Sequence, residues 1–182
     1  MSKHITFLRA INVGGHTVKM EVLRQLFESF GFSNVETFIA SGNIIFDAKA
    51  GNIEAIENKI EACLHKTLGY EVSAFIRTDA EVAEIAAYKP FPQSQLDAAA
   101  ALNIGFLANP LDDSETRKLM SMQTEIDDFH IHGREIYWLC KKKQSESKIS
   151  NVVIEKALEV KSTLRGSNTV KKLAEKYCQG AD

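Results

Sequence analysis

The order of hydrophobic periods between Ile5 and Thr78 limits the folds open to this chain. Ile5, Phe7 and Arg9 alternate with Thr6, Leu8 and Ala10, which is strand spacing. Gly14 and Gly15 interrupt it, and Met20, Leu23, Leu26, Phe27 and Phe30 then fall on one helical face. Gly31 stands where a left-handed helix cap is needed, and Thr17 is the expected N-cap. "NVETFIASGNIIFDA" reads as two strands about a Ser41-Gly42-Asn43 turn. Ile53, Ile56, Ile60, Cys63 and Leu64 mark a second helix ending near Gly69, and "YEVSAFIRT" is a further strand. The order β-α-β-β-α-β predicts a ferredoxin-like plait, an antiparallel sheet with two helices on one face. In that topology the glycine loop and the Ser41-Gly42-Asn43 turn lie at the same end of the sheet.

A short helix is expected over Asp79–Tyr88, capped by Thr78 or Asp79. "YKPFPQSQ" carries two prolines among polar residues and marks a boundary, dividing the chain into lobes at 1–88 and 97–182. The second lobe opens with a strand within Ala98–Ala108. A helix with acidic residues in its first turn follows at "DDSETRKLMSM". Then comes a hairpin about Gly133-Arg134. Helices near Asn151–Val160 and Thr169–Cys178 close the chain. This order, β-α-β-β-α-α, repeats the first lobe without an evident last strand, so the fold class expected is α+β, two ferredoxin-like plaits, the second a partial repeat.

At 182 residues, with 45% apolar and 25% charged, the chain has the composition of a globular protein able to bury a core. No apolar run approaches the ~18 residues of a membrane span. The N-terminal stretch lacks signal-peptide order, because Arg9 interrupts its short apolar part; a cytoplasmic location without membrane contact is the expectation. The three cysteines share no metal or redox spacing and read as small apolar side chains. From Lys141 to the end, ten Lys or Arg stand against five Asp or Glu, although the whole chain carries −2. That asymmetry fits either a polyanion-facing surface or a solvated helical segment.

"FLRAINVGGHTVKM", "ETFIASGNIIF", "AFIRT", "SKISN" and "NTVKKL" together resemble the bacterial domain-of-unknown-function family 1697. The resemblance runs from the first strand to the last helix. It is most specific where arginine, asparagine and a double glycine precede a helix. The family's last motif runs R-N-W-N-T; here Gly166 and Ser167 stand where it carries Asn and Trp. The resemblance implies an α/β body of the plait type and no particular activity.

Candidate site residues follow from chemistry and placement. A loop entering a helix N-terminus presents unpaired N–H groups and partial positive charge, and glycine lets an anion approach. Gly14 and Gly15 with Lys19 form such a candidate, joined by Ser41, Gly42 and Asn43 if the plait is correct. Neither G-x-x-x-x-G-K-[ST] nor G-x-G-x-x-G is present. Arg9 on an apolar strand face calls for a ligand or for a partner such as Glu36 or Asp47. Asn12 suits a bond to the loop backbone. In the second half Lys148, Arg165, Asn168 and Lys171 are candidates, with Asn168 as helix cap and Lys171 and Lys172 in the first turn, against the dipole preference.

His130 and His132 share one strand face with Glu135 and Tyr137 across the hairpin. Two His and a Glu can bind zinc, but one hairpin rarely converges three ligands, and a solvated pair is the expectation. Phe129, Ile131, Ile136, Trp138 and Cys140 form the core side. Asp112-Asp113 and Asp127-Asp128 read as solvated ends. No serine sits in a nucleophile-elbow frame, so no catalytic residue is assigned and no cofactor is expected. Three functions fit: binding of a phosphate-bearing ligand, whether a nucleotide or a nucleic-acid backbone; an enzyme acting on a small metabolite in a cleft between lobes; or a homo-oligomeric structural or regulatory domain.

Overall fold

The computed structural model describes residues 1–39 and 42–178. Strand β1 (Ser2–Arg9) is followed by helix α1 (Met20–Ser29), β2 (Ser33–Thr37), β3 (Asn43–Ala48), α2 (Ile53–Leu68) and β4 (Ser73–Thr78). The strands form one antiparallel sheet in the order β2-β3-β1-β4, that of a ferredoxin-like plait. Leu8, Ile44, Phe46, Ala74 and Ile76 face the helices and meet Leu23 and Phe27 of α1 and Ile60 and Leu64 of α2. Met20, Leu26 and Phe30 complete the α1 stripe at its margin. Both helices stop at a glycine in the left-handed region: Gly31 at φ +94° after α1, and Gly69 at φ +82° as the cap of α2.

Helix α1 starts later than its sequence suggests. Thr17 is not its cap; Lys19 holds the N-cap position with no side-chain hydrogen bond. The reason is local. The Asn12 side-chain oxygen accepts the Val18 N–H at 2.8 Å, so the chain stays pinned to the preceding loop until Lys19.

Helix α3 (Asp79–Ala87) is capped as expected: Thr78 Oγ1 accepts from Glu81 N–H at 3.2 Å, while the Glu81 carboxylate takes the Thr78 N–H at 2.8 Å. The proline-rich boundary contains a helical turn of its own, α4 (Gln93–Ala98). Then come β5 (Ala101–Leu107), α5 (Asp113–Met120), β6 (Asp127–His132), β7 (Glu135–Cys140), α6 (Asn151–Leu158), β8 (Ser162–Gly166) and α7 (Ser167–Tyr177). The second sheet has the order β6-β7-β5-β8, the same arrangement as the first.

Strand β8 corrects the sequence reading, which found no last strand there. Its five residues, which follow Lys161, include an arginine and a glycine, too weak a pattern to stand alone. Pairing with β5, from Leu107↔Ser162 to Asn103↔Gly166, creates the strand. Helix α7 consequently begins at Ser167. Asn168 lies inside its first turn rather than at its cap, and Lys171 falls one turn in.

The hairpin turns at Gly133, φ +58°. Its expected core side packs as read: Phe129, Ile136, Trp138 and Cys140, with Ile131, meet Leu119 of α5 and Ile154 and Leu158 of α6. Asp127 departs from the reading as a solvated end. It is 1% exposed, and its carboxylate accepts from Trp138 Nε1 at 2.9 Å, Ser147 Oγ at 2.7 Å and Thr124 Oγ1 at 2.6 Å. Strand alternation turns Asp127 inward, and a buried carboxylate requires such donors.

The chain divides into two compact units, residues 1–84 with 173–182, and residues 85–172. The last helical turns therefore group with the first unit, whereas the sequence reading ran the second lobe to residue 182.

Candidate functional site

In the first unit the expected loop has a definite geometry. Val13 to His16 is a tight turn closed by the His16 N–H to Val13 carbonyl bond at 3.1 Å. Gly14 and Gly15 take φ +62° and +82°, the signature of a type I′ turn that glycine alone adopts without cost. Residues 16–19 separate this turn from α1, so the glycines do not run straight into the helix. Gly42 meets the start of the same loop. Its carbonyl accepts the Leu8 N–H at 2.9 Å, and a Cβ there would lie 3.1 Å from both Ile11 Cγ2 and Leu8 Cβ.

The other first-unit candidates have structural surroundings. Asn43 is fully buried and donates its side-chain amide to the Phe38 carbonyl at 2.9 Å, bracing the hairpin. Ser41 lies outside the described residues. Arg9 ends β1 opposite Ser73, half-buried. The carboxylates considered for it have other bonds: Glu36 accepts from Tyr177 Oη at 3.1 Å and Asp47 from Asn34 Nδ2 at 2.7 Å. Lys19 is exposed. His16 stacks on Tyr70 at 4.0 Å, and Tyr70 Oη donates to the Ile11 carbonyl at 2.7 Å, so the loop is tied down on one side.

The second unit contains a pocket of about 420 Å³. The end of α3 and the Tyr88-Lys89-Pro90 segment form one wall. Gln93, Leu96 and Asp97 of α4 form another. Leu102 and Ile104 of β5 and Tyr137 of β7 supply the floor; Ile104 and Tyr137 are buried. The first turns of α7 close the ring with Ser167, Asn168 and Lys171. Asp97, the acidic group on this wall, accepts from Gln93 Nε2 at 2.8 Å. Lys89 and Lys171 remain as exposed ammonium groups beside the start of a helix with no acidic residue in its first turn. The pocket thus pairs an apolar floor with positive potential at its rim.

Of the second-half candidates, Asn168 and Lys171 reach this pocket. Lys148 is exposed elsewhere in the loop before α6, where Ser150 Oγ caps the helix by accepting from Val153 N–H at 3.3 Å. Arg165 is buried on β8. It donates to Thr163 Oγ1 at 2.7 Å and to the Leu164 carbonyl at 2.9 Å, and burial lowers its pKa to about 10. Lys89 and Tyr88 were not singled out from sequence, and Tyr137 was marked only as sharing the histidine face; the aromatic and lysine within the proline-rich boundary were the signal available.

His130 is half-buried and His132 exposed, and both rings meet Tyr88. Tyr88 Oη lies 2.7 Å from His130 Nε2, and the Tyr88 ring stacks on His132 at 4.0 Å and 11°. His130 and Tyr137 pair directly across the hairpin. Among the described residues no group of three His, Cys, Asp or Glu is placed to hold a metal ion. Among the described residues no helix is long and apolar enough to cross a membrane.

Two four-stranded antiparallel plaits, one with a cation-rimmed pocket, define an α+β protein of the double-plait class. The family model described as a protein of unknown function, DUF1697, matches residues 1–137, and the chain belongs to that family. That match ends before Lys148, Arg165, Asn168 and Lys171. A conserved bacterial protein from Streptococcus pneumoniae has a similar fold: the solved structure is 23% identical, with a TM-score of 0.77 over 98% of this chain and 99% of that one. No curated protein matches the chain.

Proposed function

We propose that the second unit binds a small phosphate-bearing molecule with an apolar or aromatic body. The observation that supports this is the pocket itself, which gathers Lys89, Lys171 and the opening turns of α7 above Leu102, Ile104 and Tyr137. Helix amides and two ammonium groups suit a phosphate, and the floor suits a base, ring or alkyl body. A volume near 420 Å³ is in the range of small-ligand sites and accommodates a mononucleotide or sugar phosphate. The glycine turn of the first unit suits this chemistry less well, because Asn43 is buried and the turn is set apart from α1.

The test is a thermal-shift panel of nucleotides, sugar phosphates and inorganic phosphate at low and moderate salt. A ligand at 100 times its dissociation constant raises the midpoint by about 5–10 °C for a chain of this size. Lys89→Ala and Lys171→Ala should abolish that shift, while Lys148→Ala should keep it. Flat midpoints across the panel would remove the proposal. Affinity that collapses with salt, with oligonucleotides outperforming monomers, would favour a nucleic-acid backbone.

A further inference from the structure

One pocket wall rests on a pair of histidines. Tyr88 lines the pocket, and its hydroxyl meets His130 Nε2 at 2.7 Å. The same ring lies on His132 at 4.0 Å and faces Tyr137, another pocket residue, at 5.3 Å. Phe91 meets His130 edge-on at 6.1 Å. The charged and titratable groups around His130 are His132 and Asp128 on β6, Tyr137 and Glu135 on β7, and Tyr88 after α3.

We infer that His130 is the proton-linked element of this pocket: its protonation, relayed through the Tyr88 hydroxyl, strengthens the binding of an anion there. This rests on the pocket being an anion site, as proposed above. The neutral ring accepts the Tyr88 proton at Nε2. The protonated ring instead donates from Nε2 to the phenol oxygen. The link survives either way, and what changes is one unit of positive charge placed a single hydrogen bond behind the pocket wall. Burial, and next the charge of His132, hold the His130 pKa below the usual histidine value, with Asp128 opposing. Burial thus disfavours the charged ring, whereas a bound anion favours the proton.

The experiment uses the full chain and benzenesulfonate, an anion whose charge is constant from pH 5 to 8 and whose ring suits the apolar floor. Binding is followed by NMR at fixed ionic strength, reading both the pocket amides and the His130 ring. Affinity should rise about three- to tenfold from pH 8 to pH 5, the size expected for one charge near the site in a partly solvated setting. By reciprocity, saturating benzenesulfonate should raise the His130 midpoint by the logarithm of that ratio, a readout that requires no variant. His130→Gln should flatten the pH dependence that His130 causes. Binding that leaves the His130 midpoint unmoved, or that keeps its full pH dependence in His130→Gln, overturns the inference and leaves the pocket reading intact. No perturbation of pocket amides at any pH counts against both.

Discussion

The Glu57 carboxylate of α2 accepts the backbone N–H of Ile76 on β4 at 2.8 Å. One helical turn on, Glu61 accepts the Ala74 N–H at 2.8 Å. Strand β4 is an edge of its sheet, and these are N–H groups that a partner strand would otherwise take. The second unit repeats the device: Glu155 of α6 accepts the Ser162 N–H on edge strand β8 at 2.9 Å. Spacing of four residues puts Glu57 and Glu61 on one helix face, so one element both covers the core and blocks the edge.

Glu57→Ala should therefore destabilise the fold by about 1–3 kcal/mol, since it strips a buried N–H of its acceptor. Urea denaturation measures this. The double variant with Glu61→Ala should also self-associate in sedimentation runs; a monomeric double variant with unchanged stability would refute the edge argument.

Thr6 is fully buried on the helix-facing side of β1, and among the described residues its hydroxyl has no hydrogen-bond partner. Replacement by the near-isosteric Val removes an unmet polar group. Thr6→Val should stabilise the protein by about 1 kcal/mol. A loss of stability would mean that the hydroxyl is bonded in solution.

Asp127→Ala should cost about 2–4 kcal/mol, because three donors lose their acceptor together. The chain has one tryptophan, and its indole N–H is one of those donors, so emission reports the site directly. Asp127→Ala should shift Trp138 emission even before unfolding. An unchanged spectrum would argue against the bond.

Folding stability should fall on acidification from neutral pH through the histidine range. His130 has a lowered pKa in the fold, from burial and then His132, whereas the unfolded chain takes up its proton near the ordinary value of about 6.5. Below that point the unfolded state binds more protons, so stability rises with pH across the window and levels off once the folded form is also protonated. Urea midpoints from pH 5 to 7.5 should show this slope, reduced in His130→Gln. An identical slope in the variant would assign it to other groups.

Cys140 is 1% exposed, and burial with the nearby Asp127 charge pushes its thiol up to about 11. At pH 8 it should react with a disulfide reagent orders of magnitude more slowly in the folded chain than in urea. Fast labelling of Cys140 in the native protein would indicate frequent local opening.

Local chemistry decided much of this protein from sequence alone. Gly31 and Gly69 end α1 and α2 because a left-handed residue is cheapest as glycine. Asp112 and Glu115 start α5 as a reciprocal cap, at 2.7 and 2.9 Å, within four residues of chain. The stripe Met20, Leu23, Leu26, Phe27, Phe30 and the inward set of the β6–β7 hairpin follow from periods of 3.6 and 2, which are properties of the backbone itself.

Tertiary structure decided the rest, wherever a residue's state depends on a distant partner. Ser162–Gly166 is a strand because β5 pairs with it. Asp127 is a buried acceptor because Trp138, Ser147 and Thr124 surround it, although beside a turn it reads as solvated. Asn168 and Lys171 could be marked from sequence as polar groups at a helix start. That they share a pocket with Lys89, Tyr88 and Tyr137 could not, since 31 to 83 residues of chain separate these groups. Hydrophobic periodicity records which way a side chain points; only the packed chain determines what stands opposite it.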